Sequence, residues 1–202
     1  MRPNDVGPIW LGLRLESGRT SGAYFRLIYR KGSFVLHMLR MLMRDQQAKP
    51  GHQDDRFITM MRDFVQTYMH RSASTEDFKR IVEKHMTPEM DQDNNSRMDW
   101  FFNQWVYGTD LPHYRLEYGF GSAPGAKTLL QISITQSNVS PDFKMPLPIY
   151  VEFDKGRVLR LNARITGNSS QSAEVPLPEK PRDVKLCANY DVLCIIEEVK
   201  AK

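Results

Sequence analysis

Cysteine is scarce in this 202-residue chain. Only Cys187 and Cys194 occur, and their spacing is neither C-x-x-C nor that of a Cys/His zinc site. The two could pair across a late hairpin or sit as small buried thiols, and they leave the redox compartment open. Long apolar runs are also missing. The most apolar stretch, Phe34 to Met43, is short and interrupted by His37 and Arg40, which excludes a membrane-spanning segment there. The first residues, Met1 to Gly7, are polar and hold no apolar core of a signal peptide; any leader is expected further upstream. Nor is there a basic stripe. The formal charge is +4 and Lys and Arg are scattered, which reads as a solvated surface and argues against a nucleic-acid partner. A helix-turn-helix regulator with a β ligand domain would want such a cluster, and the even spread of charge speaks against it.

What is present is ordinary for a folded protein: 41% hydrophobic and 26% charged residues, in a chain long enough for one large domain or two small ones. The first half has helical periodicity. Tyr24, Leu27, Ile28, Val35, Met38, Leu39 and Leu42 mark a helix over 23–44, weakened locally by Gly32. A break at Lys49-Pro50-Gly51-His52 precedes a second helix over 55–69, striped by Phe57, Met60, Met61, Phe64, Val65 and Tyr68. Ser74 and Asp77 form a capping pair for a third helix, which buries Phe78, Ile81, Val82 and Met86 and ends before Pro88. After the polar loop Asp91–Ser96, the aromatic run Met98–Val106 predicts a buried helix closed by Gly108.

The second half changes period. Residues 119–126 (GFGSAPGA) read as a linker or wide turn. Beyond it, Leu130, Ile132 and Ile134 alternate with polar neighbours, as do Leu147, Ile149, Val151 and Phe153, then Leu159, Leu161 and Ala163. Asp154-Lys155-Gly156 reads as a hairpin turn, 166–172 as a polar turn, and further strands fit near 173–175, 183–186 and 192–197. The spacing predicts a small antiparallel β-sandwich, with prolines 146, 148, 176, 178 and 181 at strand starts or edges. The expected fold class is therefore α+β in two domains: a helical part over 1–118, a linker over 119–126 and the sandwich over 127–202. Asn138 and Asn168 stand in N-x-S/T sites.

Several of these segments carry a resemblance. Ala23-Tyr24 followed by Tyr29-Arg30-Lys31-Gly32 resembles the A-Y…Y-x-K-G element of the aminopeptidase N and leukotriene hydrolase family of zinc metallopeptidases. Ser33 to Arg40 is similar to the helix after it, and Ser74-Thr75-Glu76-Asp77-Phe78 to the start of a later one. Trp100 to Trp105, then Gly108 and Leu111-Pro112, resembles the F-x-x-W…G-x-P ending of the catalytic domain. The β half, closing around Lys185-Leu186 and Val192-Leu193, resembles the Ig-like sandwich that follows.

The resemblance implies a role for Tyr29. In the family this tyrosine donates a hydrogen bond to the oxyanion formed when zinc-bound water attacks the scissile carbonyl. A phenol suits the task because it keeps its proton at neutral pH, and such a donor is worth about 10²–10³ in rate. Lys31 and Gly32 read as packing and backbone fit. The family's zinc site is missing, however. None of His37, His52, His70, His85 and His113 lies four residues from another or precedes a Glu, so no H-E-x-x-H helix exists. The G-x-M-E-N element that binds the peptide amine is absent too, and only 28 residues precede Tyr29. The expectation is a C-terminal fragment, inactive alone, whose partners are the upstream zinc-binding part of the same polypeptide and the parent's peptide substrate. No cofactor is expected in this chain, and zinc is expected in the full-length parent. The resemblance allows an exported or periplasmic parent, and the compartment stays open. The alternative is a non-catalytic, peptidase-like scaffold that binds a partner through a sandwich edge or an exposed methionine face of Met38, Met41 and Met43.

Overall fold

A computed structural model describes residues 7–17, 22–123 and 126–200. Met1–Val6, where no signal peptide is expected, and the turn residues Pro124 and Gly125 lie outside the described residues. The chain divides into two compact units, Met1–Thr109 and Asp110–Lys202.

The first unit is helical. A 3-10 segment, Ile9–Leu15, leads to a helix whose first part, Phe25–Lys31, is π-wound and whose continuation is α1, Gly32–Met43. The Gly32 amide bonds to the Leu27 carbonyl, the i→i+5 link that defines π winding. Helix α1 buries Val35, Met38, Leu39, Met41 and Met43. The expected exposed methionine face therefore does not exist: all three methionines lie in the core. Helix α2 is Asp55–Tyr68 and buries only Met60; Val65 on its expected apolar stripe is 54% exposed.

Helix α3, Thr75–His85, starts as its sequence predicts. The Asp77 amide donates to Ser74 Oγ at 3.1 Å and the Ser74 amide to Asp77 Oδ2 at 2.8 Å, which satisfies two amides that the first turn leaves open. Phe78 on α3 meets Phe64 on α2 edge-on at 5.1 Å. In the loop after α3, the Asp91 carboxylate accepts from the Asn95 and Ser96 amides. Helix α4, Asp99–Trp105, is short but buries Trp100, Phe101, Phe102 and Trp105, and Trp100 Nε1 donates to the Met90 carbonyl at 2.9 Å. Gly108 follows because nothing larger fits: a Cβ there would lie 2.7 Å from the carbonyl oxygens of Asn103 and Gln104.

The second unit holds two sheets among the described residues. One has the order β5-β2-β1-β7 and the other β4-β3-β6, where β1 is His113–Ala123, β2 Ala126–Ser137, β3 Lys144–Glu152, β4 Val158–Thr166, β5 Ser170–Leu177, β6 Asp183–Leu186 and β7 Ile195–Lys200. All pairs are antiparallel except β1 with β7, which run parallel. The antiparallel sheets expected from the sequence are therefore present apart from this one parallel edge. Alternation places Leu130, Ile132 and Ile134 of β2 and Ala163 and Ile165 of β4 in the core. Lys155 and Gly156 turn the β3–β4 hairpin with φ of +60° and +71°.

Strand β1 overturns the expected boundaries. Residues 113–118 fall in the sheet unit and not in the helical part, and 119–123, read as linker, are the end of β1. The physical signal was present: Tyr114, Leu116 and Tyr118 alternate inward against His113, Arg115 and Glu117. Gly119 and Gly121 then stand opposite Gln131 and Leu129 within the ladder. β7 also begins later than expected, at Ile195.

Prolines 146 and 148 lie inside β3, the central strand of its sheet. The Cys187 amide bonds to the Pro148 carbonyl, so even-numbered residues of β3 face β6, whose ladder begins only at Ile149. The missing N–H of each proline falls where β6 has not yet begun, and no ladder bond is lost. Three side-chain bonds join polar groups across the unit: Tyr114 Oη donates to Gln136 Oε1 at 2.8 Å, Gln136 Nε2 to the Gly167 carbonyl at 2.7 Å, and Tyr118 Oη to Asp183 Oδ1 at 3.2 Å.

Candidate functional site

Tyr29 sits in the π-wound segment of the helical unit. Winding of i→i+5 type brings residues five apart onto one side, and Tyr24 and Tyr29 meet edge-on with ring centroids 5.9 Å apart. Phe25 tilts against Tyr29 at 5.2 Å, and the Arg30 guanidinium lies 5.5 Å from the Phe25 centroid. The outcome is an aromatic cluster beside exposed arginines, with Tyr29 56% and Phe25 53% exposed. Partial burial, then the neighbouring Tyr29, raise the Tyr24 phenol above its ordinary range.

Lys31 and Gly32 differ in what they touch. Lys31 Nζ donates to the Gly108 carbonyl at 3.3 Å, tying the π segment to the end of α4. Gly32 has an ordinary helical φ of −59°, and a Cβ there would meet only the Leu27 carbonyl oxygen at 3.8 Å. Within this chain, then, no local contact demands glycine.

No histidine array surrounds Tyr29. His85 Nε2 pairs with Asp63 at 2.7 Å, and His52 Nδ1 with Asp55 at 2.9 Å. His37 rides on α1, His70 follows α2 and His113 opens β1. Among the described residues, no group of three or more His, Cys, Asp or Glu side chains could hold a metal ion. The chemistry available at Tyr29 is donation of one hydrogen bond from an exposed phenol.

Sequence reasoning singled out Tyr29 as a candidate but not its setting. The π winding is invisible to a helical period of 3.6, although two tyrosines five residues apart are its trace. It also missed Lys79, which is buried on α3 and pairs with Asp99 and with Glu76 at 3.5 Å.

The sheet unit carries a second surface feature. A shallow depression of about 470 Å³ is lined by Glu117, Gly119, Gln131, Ser133, Ser172 and Glu174. Its polar groups bond to one another: Gln131 Nε2 donates to Glu174 Oε1 at 2.9 Å and Ser172 Oγ to Ser133 Oγ at 3.1 Å. The side-chain amides of Asn138 and Asn168 are also engaged, donating to the Leu111 and Val139 carbonyls at 2.8 Å each.

Compared with known proteins, the chain matches no family model and no curated protein. Among the described residues, no helix is long and apolar enough to cross a membrane.

Proposed function

We propose that this chain is the C-terminal section of a zinc aminopeptidase-like protein. In this reading the unit Met1–Thr109 closes the catalytic domain, and Asp110–Lys202 is an Ig-like sandwich that braces it. Tyr29 stabilises the oxyanion of peptide-bond hydrolysis, and zinc, its ligands and the general base come from upstream parts of the same polypeptide. The observation that carries this reading is the presentation of Tyr29: an exposed phenol held by aromatic contacts on a π-wound turn, a local geometry that recurs at functional sites. Exposed Phe25, Leu36, Ile58 and Val65 add to it, because apolar side chains on helices usually have a covering partner.

The test is made in the full-length, zinc-loaded protein. Tyr29→Phe should lower kcat by about 10²–10³ with zinc content and KM little changed, the mark of a donor used in the transition state. An unchanged rate overturns the catalytic role. The intact mass of the native polypeptide is a prior check, since the reading requires it to be well above 23.5 kDa.

A second reading, a non-catalytic scaffold, is favoured by strand β7. It is an edge strand with Ile195 and Ile196 exposed, a form that can add an extended segment of a partner to its sheet. It predicts peptidase-independent association that Ile196→Lys abolishes.

A further inference from the structure

Lys and Arg are scattered along the chain, but the carboxylates that balance them are not. Between Glu16 and Asp45 no Asp or Glu occurs, while Arg19, Arg26, Arg30, Lys31, Arg40 and Arg44 all fall in that interval. Arg19 lies outside the described residues. Arg40 and Arg44 both answer to Asp54, at 2.6 and 4.0 Å, and Lys31 Nζ donates to the Gly108 carbonyl. Arg26 and Arg30 are different: among the described residues, neither has a carboxylate partner. Both belong to the π-wound segment that carries Tyr29. Its exposed positions are Phe25, Arg26, Tyr29 and Arg30, with Leu27 and Ile28 between them half-buried. An aromatic residue followed by an arginine thus appears twice, about one turn apart, on the open side of the segment. Tyr29 tilts on Phe25 with ring centroids 5.2 Å apart, and the Arg30 guanidinium lies over Phe25, 5.5 Å from its centroid. Phenol, ring and cation therefore form one continuous exposed surface.

We propose that this surface selects acidic peptides: Arg30, with Arg26 beside it, holds an Asp or Glu side chain of the substrate next to Tyr29. The inference rests on the aminopeptidase reading above and gives that site its substrate class. A guanidinium that rests on a ring keeps the N–H groups at its edge free, and a carboxylate can take two of them side by side. In open water such a pair is worth little. A peptide lying across Phe25 and Tyr29 removes water from the pair and strengthens it. The same field disfavours a substrate lysine, because no carboxylate of the interval 17–44 is there to receive it. The apolar part of the peptide gains contact with Phe25 and Tyr29, which are exposed in this chain.

The experiment uses the full-length, zinc-loaded protein and short peptides identical except for Glu, Gln or Lys at one position, moved in turn along the peptide. The expected result is a position at which kcat/KM for Glu exceeds that for Gln by about tenfold, with Lys poorer still. The preference should shrink with added salt. Arg30→Gln should bring the Glu and Gln peptides to equal kcat/KM, and Arg30→Glu should turn the preference toward Lys. The wild-type selectivity and its salt dependence decide even if a variant folds poorly. Hydrolysis that depends on Tyr29 but is indifferent to Glu, Gln and Lys at every position overturns this inference and leaves the aminopeptidase reading standing. Equal rates together with a lower Tm for Arg30→Gln would assign the arginines to carboxylates of the upstream part, and overturn it as well. If the wild-type protein hydrolyses none of the peptides, the aminopeptidase reading falls and this inference falls with it.

Discussion

The two units bury their apolar side chains to different degrees. In the sheet unit, the alternating residues of β1, β2 and β3 are covered, and large exposed apolar groups concentrate at β7, the first residues of β4 and Tyr190. In the helical unit, Trp10, Leu13, Phe25, Tyr29, Leu36, Ile58, Val65 and Met69 all remain exposed, and α2 covers little beyond Met60. A sheet folded into layers supplies its own partner surface. A helix needs another element on each apolar face, and several faces here lack one. The sheet unit should therefore behave as a self-sufficient folding unit, and the helical unit as one that depends on its small aromatic centre.

The sharpest way to break that comparison is to hollow out each core in turn. Phe101→Ala and Phe143→Ala both remove a fully buried ring, and each should cost about 3–5 kcal/mol. If the units are unequal, Phe101→Ala unfolds the helical unit and leaves the near-ultraviolet and amide-exchange signature of the sheet unit intact. Phe143→Ala should lower the sheet transition without abolishing it. Loss of all structure from Phe101→Ala would show a single cooperative unit instead.

A smaller effect tests the sheet unit's polar seam. Burial, then the bond to Asp191, push the Tyr150 phenol up to about 12. Tyr150→Phe removes the hydroxyl and strands the buried Asp191 oxygen, at a cost of about 1–3 kcal/mol by denaturant melts. In the helical unit the matching probe is Ser74→Ala, which removes the α3 cap and should cost about 1 kcal/mol.

These local features differ in how far the residues announce them. Ser74 and Asp77 are legible because a cap is chemistry between neighbours, and the hairpin at Asp154-Lys155-Gly156 is legible for the same reason. Strand β1 was hidden because its alternation, Tyr114, Leu116 and Tyr118, adjoins a Gly- and Pro-rich tract with the composition of a linker. Parallel pairing of β1 with β7 joins residues 82 apart, such as Arg115 and Glu197, and no local pattern encodes it. The same limit holds at the candidate site. Tyr29 is one letter in a weak motif, and what distinguishes it, the π turn that sets it edge-on to Tyr24, is a property of the backbone.

Acid should separate the units as well. Hydrogen bonds from Lys84 and His85 hold the Asp63 carboxyl, which links α2 to α3, at about 2 against an ordinary value of 3.8. A carboxylate depressed in the folded state stabilises it fully above its unfolded value, and that stability is lost as pH falls from near 4 through about 2. The helical unit should accordingly lose stability over that window. Asp63→Asn should flatten the dependence, as followed by the far-ultraviolet helix signal across pH.

The smallest expected effect is the one that bears most on function. Val65 is 54% exposed on α2, so Val65→Lys in this chain removes almost no buried surface and should change stability by no more than about 0.5 kcal/mol. If the bare faces of α1 and α2 are covered in a longer parent, the same substitution there would bury a lysine against apolar groups and cost several-fold more. Comparing Val65→Lys in the two contexts by thermal melts therefore asks whether the helical unit is unfinished or simply has an apolar surface. Equal, near-zero effects in both would mean that nothing packs on α2, and the exposed side chains would no longer support a covered catalytic domain.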